Sequence, residues 1–445
     1  MARFRKALLS LGAVSRKSAT RDPEASERFL SSLPSLNDEL SFLRSRPERR
    51  ATQNATALSD PLPALPALPA LPKGSVESTP YGSHYVVREA FPDDHFHGKV
   101  RLGRFSSANL ERLMALMQET PCGSTHEQVV FLDTETTGMQ GGTGMCPFLV
   151  GVGYFEGDEF QMVQYFIRDF DEEPAMLHSL GEFLKRFRLV ITYNGAAFDV
   201  PLLETRFTLA RQENPFAGLA HFDMLFPARR LWRNGHGSCR LAALERELLS
   251  FVRGNDDVPG AMIPRVYFDY LQRQYSRALN GVFKHNVHDV VSLAALTIHA
   301  CDRVTSEPAP LDEPLDLYSL AHLLDDSSEW RRSIDLYEMA QAGDLPEPFR
   351  SKTLETLCVL YRRNGDLDRS YSMCTQLMAA EEFSLIGYEG AAIYFERSKG
   401  DPESALCVLE EGLRRLEHDA GRKRPRIILH ARWQRLQQRV LKGIL

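Results

Sequence analysis

Asp133 and Glu135 stand two residues apart at the end of the apolar run Val129-Val130-Phe131-Leu132. In an extended strand that spacing puts both carboxylates on one face. Two like charges side by side on a buried strand repel each other, and a cation or a shared proton must compensate. Hard oxygen ligands of this kind suit Mg²⁺ or Mn²⁺. Thr134 and Thr136 interleave with the acids, and Gly138 ends the strand in a tight polar turn.

Two further segments carry matching chemistry. The apolar run Leu189-Val190-Ile191-Thr192 leads into Tyr193-Asn194-Gly195, where glycine permits a close backbone approach. Asp199 follows near the start of a helix, where a carboxylate also suits the helix dipole, so capping is its competing reading. The third segment is Lys284-His285-Asn286-Val287-His288-Asp289. If helical, it places His285 and Asp289 on one face and turns His288 away, at about a hundred degrees per residue. His285 is therefore the candidate general base, since a histidine beside a metal-bound carboxylate can take a proton from water near neutral pH. Four carboxylates from three separated segments could hold two metal ions, one activating the attacking water and one stabilising the leaving oxygen of a phosphodiester. No Ser- or Cys-centred triad stands out.

With these three segments in this order, the sequence resembles the DEDD exonuclease superfamily. Residues 133–138 look like its first motif, 192–203 its second and 285–293 its third, a resemblance covering about 128–297. Within it, Arg240-Leu241-Ala242-Ala243-Leu244-Glu245, then Asp257-Val258-Pro259-Gly260-Ala261-Met262-Ile263-Pro264, Tyr267 and the helical tail resemble the YprB-like branch. The resemblance implies Asp133, Glu135, Asp199 and Asp289 as metal ligands. It implies hydrolysis of DNA or RNA by a two-ion mechanism with Mg²⁺ or Mn²⁺, as a 3′→5′ exonuclease acting on single strands. Thr134, Thr136, Asn194 and Asp223 are candidate substrate contacts, Asp223 being a further acid on a neighbouring strand with a structural role as its alternative. One departure concerns the third motif. The superfamily places a His five residues before the last Asp, or a Tyr four before, whereas His285 here occupies the four-before position and Lys284 the five-before one. Two rival readings share the fold: an endonuclease of Holliday-junction type, and a nucleic-acid-binding scaffold that recruits proteins.

The elements that must position these residues follow from periodicity. Runs 129–132, 148–155 and 160–167 read as strands, the last two joined by the turn signal Glu156-Gly157-Asp158-Glu159. A helical stretch follows from Pro174 to Arg188, then a strand at 189–192, a helix at 198–209 and a short strand at 221–225. This order is the RNase H-like α/β arrangement, a mixed central sheet flanked by helices. From 315 to 417 the pattern is helical, with turns at Ser327-Ser328-Glu329, Asn364-Gly365-Asp366 and Lys399-Gly400-Asp401, and small residues Ser333, Ser370 and Ala405 just after them. The interval is about that of a tetratricopeptide repeat (TPR), giving an all-α TPR-like domain. The expected domains are a disordered basic and Pro-rich segment at 1–80, an extension of unassigned fold at 81–126 and the RNase H-like DEDD domain at 127–305. TPR-like repeats at 312–420 and a basic C-terminal helix at 421–445 complete the chain.

The bulk properties fit several domains. The chain has 445 residues, 25% of them charged, and a net charge of −6, which gives no global nucleic-acid signal. A nuclease needs none, because it can concentrate positive charge around a cleft. Seven scattered cysteines lack zinc-ligand spacing and fit a reducing, cytoplasmic setting. No apolar run reaches the length of a membrane span. The opening residues, with Arg3, Arg5, Lys6, Arg16 and Lys17, read as a basic amphipathic segment rather than a signal peptide. The proline run 61–72 reads as an extended spacer, or a ligand for a proline-binding module. His84, His95 and His97 read as surface or packing residues, with no matching ligand set.

Overall fold

The computed structural model describes residues 71–138, 144–157, 159–273, 278–307, 313–325, 329–417 and 423–442. The expected disorder and basic patch before residue 71, nearly all of the proline run, Asp158, Ser327-Ser328 and the start of the basic tail at Gly421 and Arg422 lie outside the described residues.

Seven strands form one sheet in the order β1-β2-β7-β6-β5-β8-β9. They are β1 (Ser75–Thr79), β2 (Gly82–Pro92), β5 (Val129–Thr136), β6 (Pro147–Glu156), β7 (Glu159–Phe166), β8 (Leu189–Thr192) and β9 (Ala220–Asp223). A separate two-residue ladder joins β3 (Phe96–His97) to β4 (Val100–Arg101). The pairs from β1 to β5 are antiparallel, whereas β5–β8 and β8–β9 are parallel, so the sheet is mixed as expected. Four strands, β1 to β4, were not legible in the sequence. Residues 75–79, assigned above to the disordered segment, pair with β2, and the unassigned region supplies β2 itself, paired with β7 over Tyr85–Pro92. Strand β2, between β1 and β7, is buried only at His84 and Val86 and runs through three consecutive exposed positions at 88–90, so its period-two signature is short.

The run Val129–Leu132 is apolar throughout because β5 is covered on both faces. Val129 and Phe131 join one core cluster, and Val130 and Leu132 the other. Helix α2 (Glu173–Leu184) packs Met176, Leu177, Leu180 and Leu184 on the second face, with Leu203 and Phe207 of α3 (Asp199–Leu209). The first face is covered by α1 (Leu110–Leu116), α4 (Leu225–His236), a short α5 (Leu241–Leu244) that runs into a π-turn at Glu245–Leu249, and the long α7 (Leu279–Thr305). Helix α6 (Ile263–Arg273) precedes α7. The strand expected at 221–225 stops at Asp223, and Leu225 opens α4.

Beyond residue 313 the chain is helix-rich: α8 (Pro314–Leu324), α9 (Trp330–Ala342), α10 (Phe349–Arg363), α11 (Leu367–Ala379), α12 (Leu385–Tyr394), α13 (Pro402–Arg415) and α14 (Lys423–Leu441). The turns at Asn364-Gly365-Asp366 and Lys399-Gly400-Asp401 fall where the sequence places them. Gly365 and Gly400 adopt φ of +84° and +60°, and Asp366 and Asp401 cap the helices that follow. Ser333, Ser370 and Ala405 are buried at the helix contacts.

Candidate active site

The C-terminal end of β5 carries Asp133 and Glu135 on the same side as Val129 and Phe131, the side covered by α7. The pairing of β5 with β6 shifts register between Glu135 and Thr136, which ends the strand there. Thr134 points to the opposite side, and its hydroxyl donates to Asp199 Oδ1 at 2.5 Å. Asp199 is the first residue of α3 and is buried.

Helix α7 reaches the acids because β6 gives way to it. An added Cβ on Gly151 would lie 2.1 Å from Asn286 Oδ1, and one on Gly153 would lie 2.7 Å from Val290 Cγ1. The close approach lets Asn286 Nδ2 donate to Asp133 Oδ2 at 2.9 Å, while Asn286 Oδ1 accepts from Gln164 Nε2 at 2.9 Å. Gln164 also donates to the Phe283 carbonyl, so the amide chain is fully paired at this end.

His285 and Asp289 share a face one turn apart, with Nε2 3.4 Å from Asp289 Oδ2. One ligand atom each from Glu135, His285 and Asp289 lies within 4.8 Å of the others. His285 Nδ1 lies 2.9 Å from Asp257 Oδ1 and 3.2 Å from Arg253 Nη1. The Arg253 guanidinium grips the fully buried Glu245 through two hydrogen bonds, of 2.7 and 2.5 Å, and also pairs with Asp289 Oδ1. His288 leaves the face shared by His285 and Asp289 as the helical period requires; its ring packs edge-on against Phe251, and its Nδ1 stands 3.9 Å from Asp257 Oδ1.

The electrostatics are those of crowded carboxylates. Burial raises the Asp133 carboxyl well above the usual range, and the neighbouring Asp289 and Asp199 add to this. Burial does the same to Glu135, with Asp133, Asp289 and Asp199 contributing. Asp199 is pushed up to about 6 by burial, against the opposing hydrogen bond from Thr134. Among the described residues, Glu135 Oε1 is buried without a hydrogen-bond partner.

Other residues singled out from the sequence have different tasks. Asp223 accepts from the backbone N–H of Asn194 (2.7 Å), Ala196 (3.1 Å) and Leu225 (3.0 Å), so its carboxylate braces the loop that carries Asp199. Asn194 adopts φ +65°, and a Cβ on Gly195 would fall 2.5 Å from Thr192 Cβ, which explains the Asn-Gly pair. The Thr136 hydroxyl donates to the Gly138 carbonyl at 2.6 Å, closing the turn. The sequence reading missed Asn286, Gln164, Arg253, Glu245 and Asp257. Glu245 and Asp257 fall inside the two segments that carried the branch resemblance, which was the available signal. Outside the site, His84 and His97 are packed as expected: each is buried, bonded to Ser179 Oγ and Ser292 Oγ respectively.

No helix among the described residues is long and apolar enough to cross a membrane. The family profile of the RNase_H superfamily matches residues 130–301. The uncharacterized protein YprB of Bacillus subtilis (strain 168) is 30% identical over 341 residues, covering 74% of this chain and 80% of that protein. Among solved structures, the family B DNA polymerase from the hyperthermophilic archaeon Pyrobaculum calidifontis aligns with a TM-score of 0.31 at 15% identity, over 53% of this chain and 29% of that one. The chain belongs to the family of YprB and carries an RNase H superfamily domain.

Proposed function

We propose that the chain is a divalent-metal-dependent nuclease that hydrolyses phosphodiester bonds of DNA or RNA, working as a 3′→5′ exonuclease of the DEDD type. The observation that carries this reading is the Glu135 Oε1 atom, buried without a donor among the described residues and surrounded by carboxylates whose protonation burial and mutual repulsion favour. A buried acceptor in that setting fits a cation. Asp133, Glu135, Asp199 and Asp289 would hold Mg²⁺ or Mn²⁺, two ions being the number that fits the reaction. Bound there, the metal supplies a water of lowered pKa and positive charge for the leaving oxygen.

The chain's own groups do the rest. Asn286 fixes Asp133 and Thr134 fixes Asp199, so both carboxylates are oriented before substrate arrives. His285 takes the proton at Nε2 when Nδ1–H is donated to Asp257. Arg253 holds Asp289 Oδ1 and leaves Oδ2 towards His285. Thr136 and Asn194 remain candidate substrate contacts at the rim, and Asp223 braces the loop of Asn194. The helix-rich C-terminal region serves as a TPR-like platform for a protein partner, in a cytoplasmic protein.

The test is cleavage of end-labelled single-stranded DNA and RNA with Mg²⁺ or Mn²⁺. EDTA is expected to abolish cleavage, and Asp133→Asn to lower it by about a hundredfold or more. Stepwise products from the 3′ end and intact circular substrates are expected of an exonuclease, whereas cut circles would assign an endonuclease. No cleavage by the wild type, or equal cleavage by Asp133→Asn, overturns the reading. One observation favours a non-catalytic scaffold instead: the Arg253 guanidinium already neutralises Asp289. A Mn²⁺ titration showing no binding would decide for the scaffold.

A further inference from the structure

Helix α4 buries Leu225, Pro227, Ala228, Leu231 and Trp232 and turns Arg229 and Arg233, one helical turn apart, to solvent. These two, with Arg240 just past the helix, line a groove of about 560 Å³ whose other wall includes Tyr193 and Asn194. Among the described residues, none of the three guanidiniums forms an ion pair. The nearby acids are already engaged: Glu247 and Asp316 each face a nitrogen of His236, at 2.9 and 3.2 Å, and Asp223 accepts three backbone N–H groups. Three exposed guanidiniums without an acidic partner among the described residues, on a chain of net charge −6, are a local concentration of positive charge that suits a polyanion.

The groove and the acidic site share one support. The Tyr193 hydroxyl donates to the Cys239 carbonyl at 2.5 Å, fastening the Arg240 turn to the end of β8. Asp223 ties the same loop, through Asn194 and Ala196, to the start of α4. Three residues on from Ala196, at the start of α3, stands Asp199. Phe198, immediately before it, is 48% exposed, and Phe226, three residues before Arg229 on α4, is 54% exposed. An exposed ring on the helix that carries the arginines, Phe226, and another next to Asp199, Phe198, suit stacked bases at the two ends of such a path, and stacking joined to phosphate contacts is the combination that holds single strands.

We propose that Arg229, Arg233 and Arg240 form the track for the phosphodiester backbone of a single-stranded nucleic acid leading to the acidic site. The proposal rests on the nuclease reading for the direction in which the strand runs, but not for binding itself. The groove precedes chemistry, so binding persists without metal.

The test is fluorescence anisotropy of short fluorescein-labelled single-stranded DNA and RNA with the full chain in EDTA, across a salt series. Charge reversal (Arg229→Glu, Arg233→Glu, Arg240→Glu together) is expected to weaken binding at least tenfold. It is expected to reduce the slope of log Kd against log salt by about 2, at roughly 0.7 per phosphate contact on a single strand. The milder triple Gln variant should lose the same slope, and its thermal unfolding and Mn²⁺ titration should match the wild type, which separates lost contacts from misfolding. A difference between the DNA and RNA arms assigns the sugar. Unchanged binding by both variants, no binding by the wild type, or poly-glutamate binding as tightly as the oligonucleotides would overturn the track. The two readings fail separately. Binding that needs the arginines with cleavage indifferent to Asp133 leaves the track without the nuclease. Cleavage that needs Asp133 with binding indifferent to the arginines leaves the nuclease without the track.

Discussion

His285 meets two partners at one ring nitrogen. Its Nδ1 faces the Asp257 carboxylate at 2.9 Å and an Arg253 N–H at 3.2 Å. A protonated Nδ1 donates to Asp257 and leaves Nε2 free to accept a proton; an unprotonated Nδ1 accepts from Arg253 and puts the hydrogen on Nε2, where it cannot serve as a base. The proposed chemistry needs the first state, so Asp257 is a positioning residue for His285. His285→Gln is expected to lower kcat by about 10²- to 10⁴-fold. Asp257→Asn, which removes the charge that favours the Nδ1 hydrogen, should lower kcat about ten- to a hundredfold with little change in KM. An Asp257→Asn protein with unchanged kcat and pH profile would give the nitrogen to Arg253 instead.

At the level of elements, the site depends on how closely α7 lies on β6. Gly151 leaves the space that Asn286 fills, since a Cβ there would stand 2.1 Å from Oδ1 and 2.8 Å from Nδ2 of the amide. Gly151→Ala must therefore push α7 outward or break the Asn286–Asp133 bond. It is expected to lower stability by about 1–3 kcal/mol, read from the denaturant midpoint, and to weaken Mn²⁺ binding as Asp133 loses its support. Gly153→Ala is the control. Its Cβ would meet Phe160 and Val290, at 2.3 and 2.7 Å, so it presses on α7 one turn beyond Asn286 without filling the amide's own space, and should destabilise to a similar degree with a smaller loss of Mn²⁺ affinity. Equal Mn²⁺ affinity in both variants would remove Asn286 from the account of the site.

Across the whole molecule, the expected boundary between 305 and 312 does not separate two cores. One cluster runs from Phe131 and Val290 through Trp232 to Leu317, Leu320, Ile334 and Tyr337 of α8 and α9. Polar contacts cross the same seam: Asn234 Nδ2 donates to Ser319 Oγ at 3.0 Å, Arg112 pairs with Glu329 at 2.6 Å, and Arg332 donates to the Val304 carbonyl at 2.7 Å. The end of the helical region is different. Tyr388, Leu409, Leu429 and Leu436 form their own cluster, in which α14 buries only Leu429 and Leu436. A chain ending at 307 is expected to lose about 10 °C or more in Tm, since each buried large apolar side chain contributes about 1.5–3 kcal/mol. Removing α14 alone should leave nuclease cleavage intact. Equal Tm in the chain ending at 307 and the full chain would make the seam a simple linker.

The sequence by itself determined the local features. The apolar run and the spacing of Asp133 and Glu135 gave a strand with two carboxylates on one side, because strand period is two residues. Helical period gave the shared face of His285 and Asp289 and turned His288 away, and Asn-Gly and Lys-Gly pairs marked the helix turns. Tertiary structure decided everything that depends on chain segments meeting. Asp257, Arg253 and Glu245 reach the third motif from a loop and a π-turn whose geometry has no periodic signature. Asn286 was passed over because only the cleft above Gly151 turns it onto Asp133. Cys358 and Cys374, sixteen residues apart, bring their sulfurs to 3.0 Å across two helices, a proximity that spacing alone does not reveal. Asp223 drew notice as a further acid, but three backbone N–H groups, visible only once the loop is folded, give it a structural task. The acids of the site were legible because their chemistry is written in residue type. The groups that orient them were not, because orientation is a property of the packed chain.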